Sequence, residues 1–76
     1  MNEKVITAEA RDLAFTVLAT WRSLEECNGA RGNTAEATRF GCYYTAGVAL
    51  LGELLDERYR AIDRAVDLRY AEIYGA

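Results

Sequence analysis

The sequence predicts an all-α protein, an antiparallel helical hairpin with a long second helix, dimerising into a four-helix-type bundle. Three observations carry this. No Pro interrupts the 76 residues, and thirteen alanines with Leu, Glu and Arg favour helix nearly throughout. Nowhere do β-branched or aromatic residues alternate with polar ones over a strand's length. The one strong break is Asn28-Gly29-Ala30-Arg31-Gly32-Asn33. A chain of 76 residues makes one domain, residues 1–76.

Helix 1 is expected over about residues 3–28, with Asn2 and Thr7 both acceptable caps. Ile6, Ala10, Leu13, Val17, Thr20, Leu24 and Cys27 follow at alternating steps of four and three, which puts them on one stripe. Ala14, Leu18 and Trp21 widen that stripe to about half the circumference, so helix 1 should touch at least two other helices. The turn is expected at 29–33. Gly29 suits the left-handed position that ends a helix, and Asn33 with Glu36 three residues on resembles a reciprocal cap.

Helix 2 is expected over about 34–74. Its core stripe reads Phe40, Tyr44, Val48, Leu51, Leu55 and then Tyr59, Ile62, Val66, Tyr70, Ile73. Leu55-Asp56-x-Arg58-Tyr59-x-x-Ile62 is repeated eleven residues later as Val66-Asp67-x-Arg69-Tyr70-x-x-Ile73. An eleven-residue period keeps a stripe on one side of a nearly straight helix, which favours one continuous element. Gly41, Gly47 and Gly52 within it each cost about 1 kcal/mol relative to Ala, so they mark close approaches. In a hairpin turning near Arg31, Trp21 falls opposite Gly41 and Ala10 opposite Gly52. A glycine that breaks the helix, giving three helices, is the rival reading.

Unequal helices have a consequence. Helix 1 can cover helix 2 only to about residue 58, leaving an apolar overhang that monomeric proteins rarely expose. A homodimer follows, with Leu55, Tyr59, Ile62, Val66, Tyr70 and Ile73 at its interface.

Composition narrows the function. Nine Lys and Arg against twelve Asp and Glu give a net charge of -3, which argues against a dedicated nucleic-acid or anionic-membrane binder. The acidic start resembles no targeting segment, and the longest apolar run, about Phe40 to Gly52, falls short of a membrane span. Cys27 and Cys42 with no His leave no ordinary zinc spacing, and read as free thiols in a reducing, cytoplasmic compartment. The carboxylates of Glu53, Asp56, Glu57, Asp63 and Asp67 interleave with arginines, as on a solvated helix face rather than at a metal site. No nucleophile with a recognisable base and no phosphate-cradling loop is present, so no enzyme, no metal and no cofactor are expected.

The favoured reading is a non-enzymatic homodimer that binds another protein stoichiometrically as a regulator or inhibitor. Phe15 among Arg11 and Arg22, on the expected polar face of helix 1, is the anchor, and Tyr43 adds a contact. The identity of that partner is not encoded in any motif. Compact acidic regulators of this kind are frequent in phage and mobile elements, and Arg exceeding Lys eight to one fits a GC-rich bacterial or phage gene. The second reading is a dimeric binder of a small anionic ligand such as a nucleotide, held between Arg58, Tyr59, Arg69 and Tyr70 by bidentate hydrogen bonds and stacking. The third is a nucleic-acid accessory protein using Lys4, Arg31 and Arg39.

Overall fold

The computed structural model describes residues 6–75 and contains three helices, α1 (Ala8–Ala30), α2 (Thr34–Leu55) and α3 (Tyr59–Tyr74). Among the described residues there is no strand. α1 and α2 pack as an antiparallel hairpin, and α3 folds back to pack against both.

α1 starts at Thr7, whose side-chain oxygen accepts a hydrogen bond from the Ala10 N–H at 3.0 Å. The alternative cap, Asn2, lies outside the described residues, as do residues 3–5. α1 runs past Gly29 to Ala30, and Gly32 rather than Gly29 takes the left-handed conformation, with φ 78°. The Gly32 N–H bonds the Gly29 carbonyl at 3.1 Å and the Asn33 N–H bonds the Asn28 carbonyl at 2.8 Å, the paired pattern of a Schellman ending. Asn33 precedes α2 but makes no side-chain capping bond. Its amide donates to Asn28 Oδ1, while Glu36 pairs with Arg39, so the reciprocal cap does not form.

The long second helix is the expectation that fails. α2 ends at Leu55 with a second Schellman pattern: Asp56 N–H to Glu53 carbonyl at 3.3 Å and Glu57 N–H to Gly52 carbonyl at 2.8 Å. Here the left-handed residue is Asp56, with φ 56° and ψ 45°. Gly52 makes this possible, because a Cβ there would stand 2.8 Å from the Glu57 carbonyl oxygen. The chain turns back over Gly52, and α3 starts after Arg58, whose carbonyl accepts from Ala61 and Ile62.

The return of α3 decides the core. It consists of Phe15, Leu18 and Ala19 from α1, Tyr44, Val48 and Leu51 from α2, and Ile62 and Val66 from α3. Val66 is 0% exposed and Ile62 2%, each within a single chain. Burying either contributes about 1.5–3 kcal/mol relative to leaving it in water. The overhang that called for a second copy is therefore covered by the chain itself. α1 does touch two helices, but through a different flank from the one expected. Phe15, expected on the exposed face, is 8% exposed, while Leu13 of the expected core stripe is 63% exposed.

The glycine contacts differ from the expected register. Gly47, not Gly41, receives Trp21: a Cβ at Gly47 would meet the Leu18 side chain at 2.6 Å and the Trp21 ring at 3.2 Å. Gly41 faces the Glu25 carboxylate.

Candidate functional site: an apolar groove between α1 and α2

The two flanks of α1 differ in chemistry. On the α3 side, Arg22 pairs with Asp67 across the helices and with Glu26 along its own, and its guanidinium lies 5.0 Å from the centre of the Tyr70 ring. The hydrogen bond to Asp67 raises the Arg22 pKa above its ordinary value. Arg69 bonds Asp12, Thr16 and Glu72, and the Tyr70 hydroxyl donates to Glu26 at 2.5 Å. That hydrogen bond, followed by burial, raises the Tyr70 pKa. Between α2 and α3, the buried Tyr44 hydroxyl donates to Asp63 at 2.5 Å. Burial foremost, and then this bond, pushes the phenol well above its ordinary value.

The opposite flank, half a helical turn away, carries none of this. There α1 and α2 enclose an open groove of about 360 Å³. Its walls are Ala10, Leu13 and Val17 from α1 and Leu50 and Leu54 from α2. Its floor is Leu18, Trp21, Gly47 and Leu51, and Ile6 closes one end. Every lining side chain is apolar. Leu13 at 63% and Leu50 at 61% exposure stand as facing ridges, and Gly47 with Ala10 and Ala14 keeps the space between them low. At the other end, Trp21 packs against Tyr43, ring centres 5.6 Å apart, and Tyr43 packs edge-on to Phe40 at 5.8 Å.

The spacing of the two walls is helical on both sides. Ile6, Ala10, Leu13 and Val17 step by four, three and four residues, and on α2 Gly47, Leu50 and Leu54 step by three and four, with Tyr43 four residues before Gly47 at the groove's aromatic end. This is the seam pattern by which one helix receives another. In α1 it is the stripe read from the sequence as core. It faces outward because the interior of the chain uses the side of α1 that carries Phe15 and Ala19.

The other expected site residues are dispersed. Arg11 stacks on the buried Phe15, its guanidinium carbon 5.7 Å from the ring centre, so Phe15 offers no free surface as an anchor. Arg22 is committed to Asp67, Glu26 and Tyr70, and only Tyr43 of the four expected partner contacts borders the groove's aromatic end. Both Arg-Tyr pairs lie beyond the break at Asp56, one at the start of α3 and the other toward its end. Arg58 caps α3 and Tyr59 is exposed beside it, whereas Arg69 and Tyr70 are bonded to α1. Of the expected dimer contacts, Ile62 and Val66 are core, Leu55 and Tyr70 are half-buried, and Tyr59 and Ile73 are exposed. Arg39, from the nucleic-acid reading, is paired with Glu36, Arg31 is exposed at the turn, and Lys4 lies outside the described residues.

Cys27 and Cys42 are exposed free thiols. Among the described residues no group of three or more His, Cys, Asp or Glu could hold a metal ion, and no helix is long and apolar enough to cross a membrane. The chain matches no protein-family model, no curated protein and no solved structure.

Proposed function

We propose that the protein is a non-enzymatic binding module that seats an apolar helix face of another protein in the α1–α2 groove and, by occupying that face, regulates or inhibits its target. The observation that supports this is the pair of apolar stripes at three-and-four-residue spacing, one on α1 and one on α2, that line an uncharged groove. Amphipathic helices dock in such grooves through side chains at i, i+3 or i+4, and i+7. Trp21 and Tyr43 at one end supply the large aromatic contacts in which binding energy concentrates. The anionic-ligand reading has less support, because Arg69 and Tyr70 are already satisfied by Asp12, Glu72 and Glu26.

The test is an NMR titration with a model amphipathic peptide carrying Leu at heptad a and d positions. Amide shifts confined to Ala10, Leu13, Val17, Gly47 and Leu50 are expected. Shifts spread over α3, or none at peptide saturation of a control groove protein, would remove the groove from the site. A photo-crosslinker placed at Leu50 in the native host then identifies the target, and the adduct should disappear with Leu13→Glu.

A further inference from the structure

The connection between α2 and α3 is short and bends at a left-handed residue. Its residues, Asp56-Glu57-Arg58, contain neither Gly nor Pro, and Asp56 sits in the left-handed region, which any residue with a Cβ adopts less readily than Gly. The same Asp-x-Arg-Tyr pattern is an uninterrupted helix elsewhere in this chain. Asp67-Leu68-Arg69-Tyr70, eleven residues on from Asp56-Glu57-Arg58-Tyr59, lies within α3. Nothing in the side chains of the connection opposes helix. What holds it bent is Gly52, which leaves room for the Glu57 carbonyl, and the burial of Ile62 and Val66 on α1 and α2.

We propose that α3 exchanges between two copies of this chain. The connection straightens, α2 and α3 join into one helix from Thr34 to Tyr74, and each α3 packs against α1 and α2 of the other copy. Every core and polar contact of α3 is then remade across the pair. Ile62 and Val66 fill the same sites, Arg69 meets Asp12 and Thr16 of the second chain, and Arg22 of the second chain meets Asp67. The exchanged form differs from the closed one mainly at the hinge, where the left-handed Asp56 is relieved and continuous helical bonds replace the turn. Short connections under strain favour such exchange. The second copy is the natural occupant because only this sequence carries an α3 cut to that cradle. The α1–α2 groove lies on the far flank of α1, so the dimer presents two grooves, and this inference stands independently of what binds there.

Gly52→Ala tests it. The added Cβ disfavours the bent connection and the substitution favours helix, so the dimer fraction by sedimentation equilibrium should rise at least tenfold over wild type at equal concentration. Asp56→Gly, which eases the left-handed residue, should lower it severalfold. To tell exchange from surface pairing, Arg22→Cys and Asp67→Cys are introduced together with Cys27→Ser and Cys42→Ser, and the thiols are bridged with a short bis-maleimide. In the exchanged dimer the bridges join two chains, giving covalent dimers on a denaturing gel. A helical Gly52→Ala protein of monomeric mass, or a dimer whose bridges all fall within one chain, overturns the proposal. Should Gly52→Ala fail to fold, Asp56→Leu, which disfavours the left-handed conformation without adding an atom next to Glu57, is read in the same way.

Discussion

Gly47 lies beneath Trp21, with the indole 3.2 Å and the Leu18 side chain 2.6 Å from where a Cβ would be. The absence of a side chain on α2 at this level sets how closely α1 approaches. Gly47→Ala therefore places two effects in opposition: about 1 kcal/mol gained in helix propensity and about 1–3 kcal/mol lost to overpacking. The atom met is a δ-methyl of Leu18, and because that side chain is 3% exposed and packed in the core, moving it aside costs contacts and overpacking outweighs propensity. A net loss of up to about 2 kcal/mol should lower the thermal midpoint by up to roughly 15 °C in a domain of this size. An unchanged melt would mean that α1 and α2 are not so closely packed.

Ile62 and Ile73 lie on one helix and were read from the sequence as equivalent interface residues. In the structure they are opposites, 2% and 45% exposed. Ile62→Ala should cost about 2–5 kcal/mol, a large share of the roughly 4–11 kcal/mol expected for a chain of this length. Ile73→Ala should cost well under half of that. Urea midpoints compare the two directly, and equal losses would contradict the packing of α3.

Leu13 and Leu50 form the walls of the groove and contribute little to the core. Leu13→Gln and Leu50→Gln should leave stability within about 0.5 kcal/mol of wild type, as exposed substitutions do. Each should nevertheless abolish the peptide-induced NMR shifts. Loss of the fold in either variant would show that the groove wall is structural.

Tyr44 gives a pH signature. Its phenol is held protonated in the folded chain, above its ordinary value of 10.0, by burial first and by the bond to Asp63 second. A group whose folded pKa is raised contributes stability that is complete below the unfolded pKa and declines as pH rises through the folded one. Stability should therefore fall from about pH 10 upward, as the unfolded chain loses a proton that the folded chain keeps. Tyr44→Phe should flatten this fall, though not abolish it, because Tyr70 is shifted in the same direction. The comparison is between chemical denaturation curves at pH 8 and above pH 10. A steeper decline in the variant would reverse the assigned role.

Much of the fold was legible in the sequence, because helix propensity and the glycine-containing turn are local signals. The α1–α2 hairpin and the burial of Tyr44, Val48 and Leu51 follow from them, whereas Ile62 and Val66 read as a dimer interface and are buried within one chain. The break at Asp56 was not legible from its own residues, which are helical in type and recur within α3. Its signal is Gly52, four residues earlier, where the returning backbone needs space that any Cβ would occupy. Missing that break displaced the site. Once α3 folds back, Phe15 becomes interior, Arg69 finds Asp12, and the stripe of Leu13 and Val17 is left facing out. The groove could be suspected only from the width of the apolar sector on α1, which exceeded what one neighbour covers.

The unlike flanks of α1 also respond differently to the surrounding medium. Added salt screens the exposed ion pairs that join α1 to α3, whereas an apolar seam is strengthened by salting-out ions and weakened by cooling. Brine should weaken only the charged part of the hold on the third helix, since Ile62 and Val66 stay buried, and chilling should weaken that core together with whatever apolar contacts the groove makes. Salt therefore acts with opposite signs on the charged contacts of α3 and on the apolar seam proposed as a docking site.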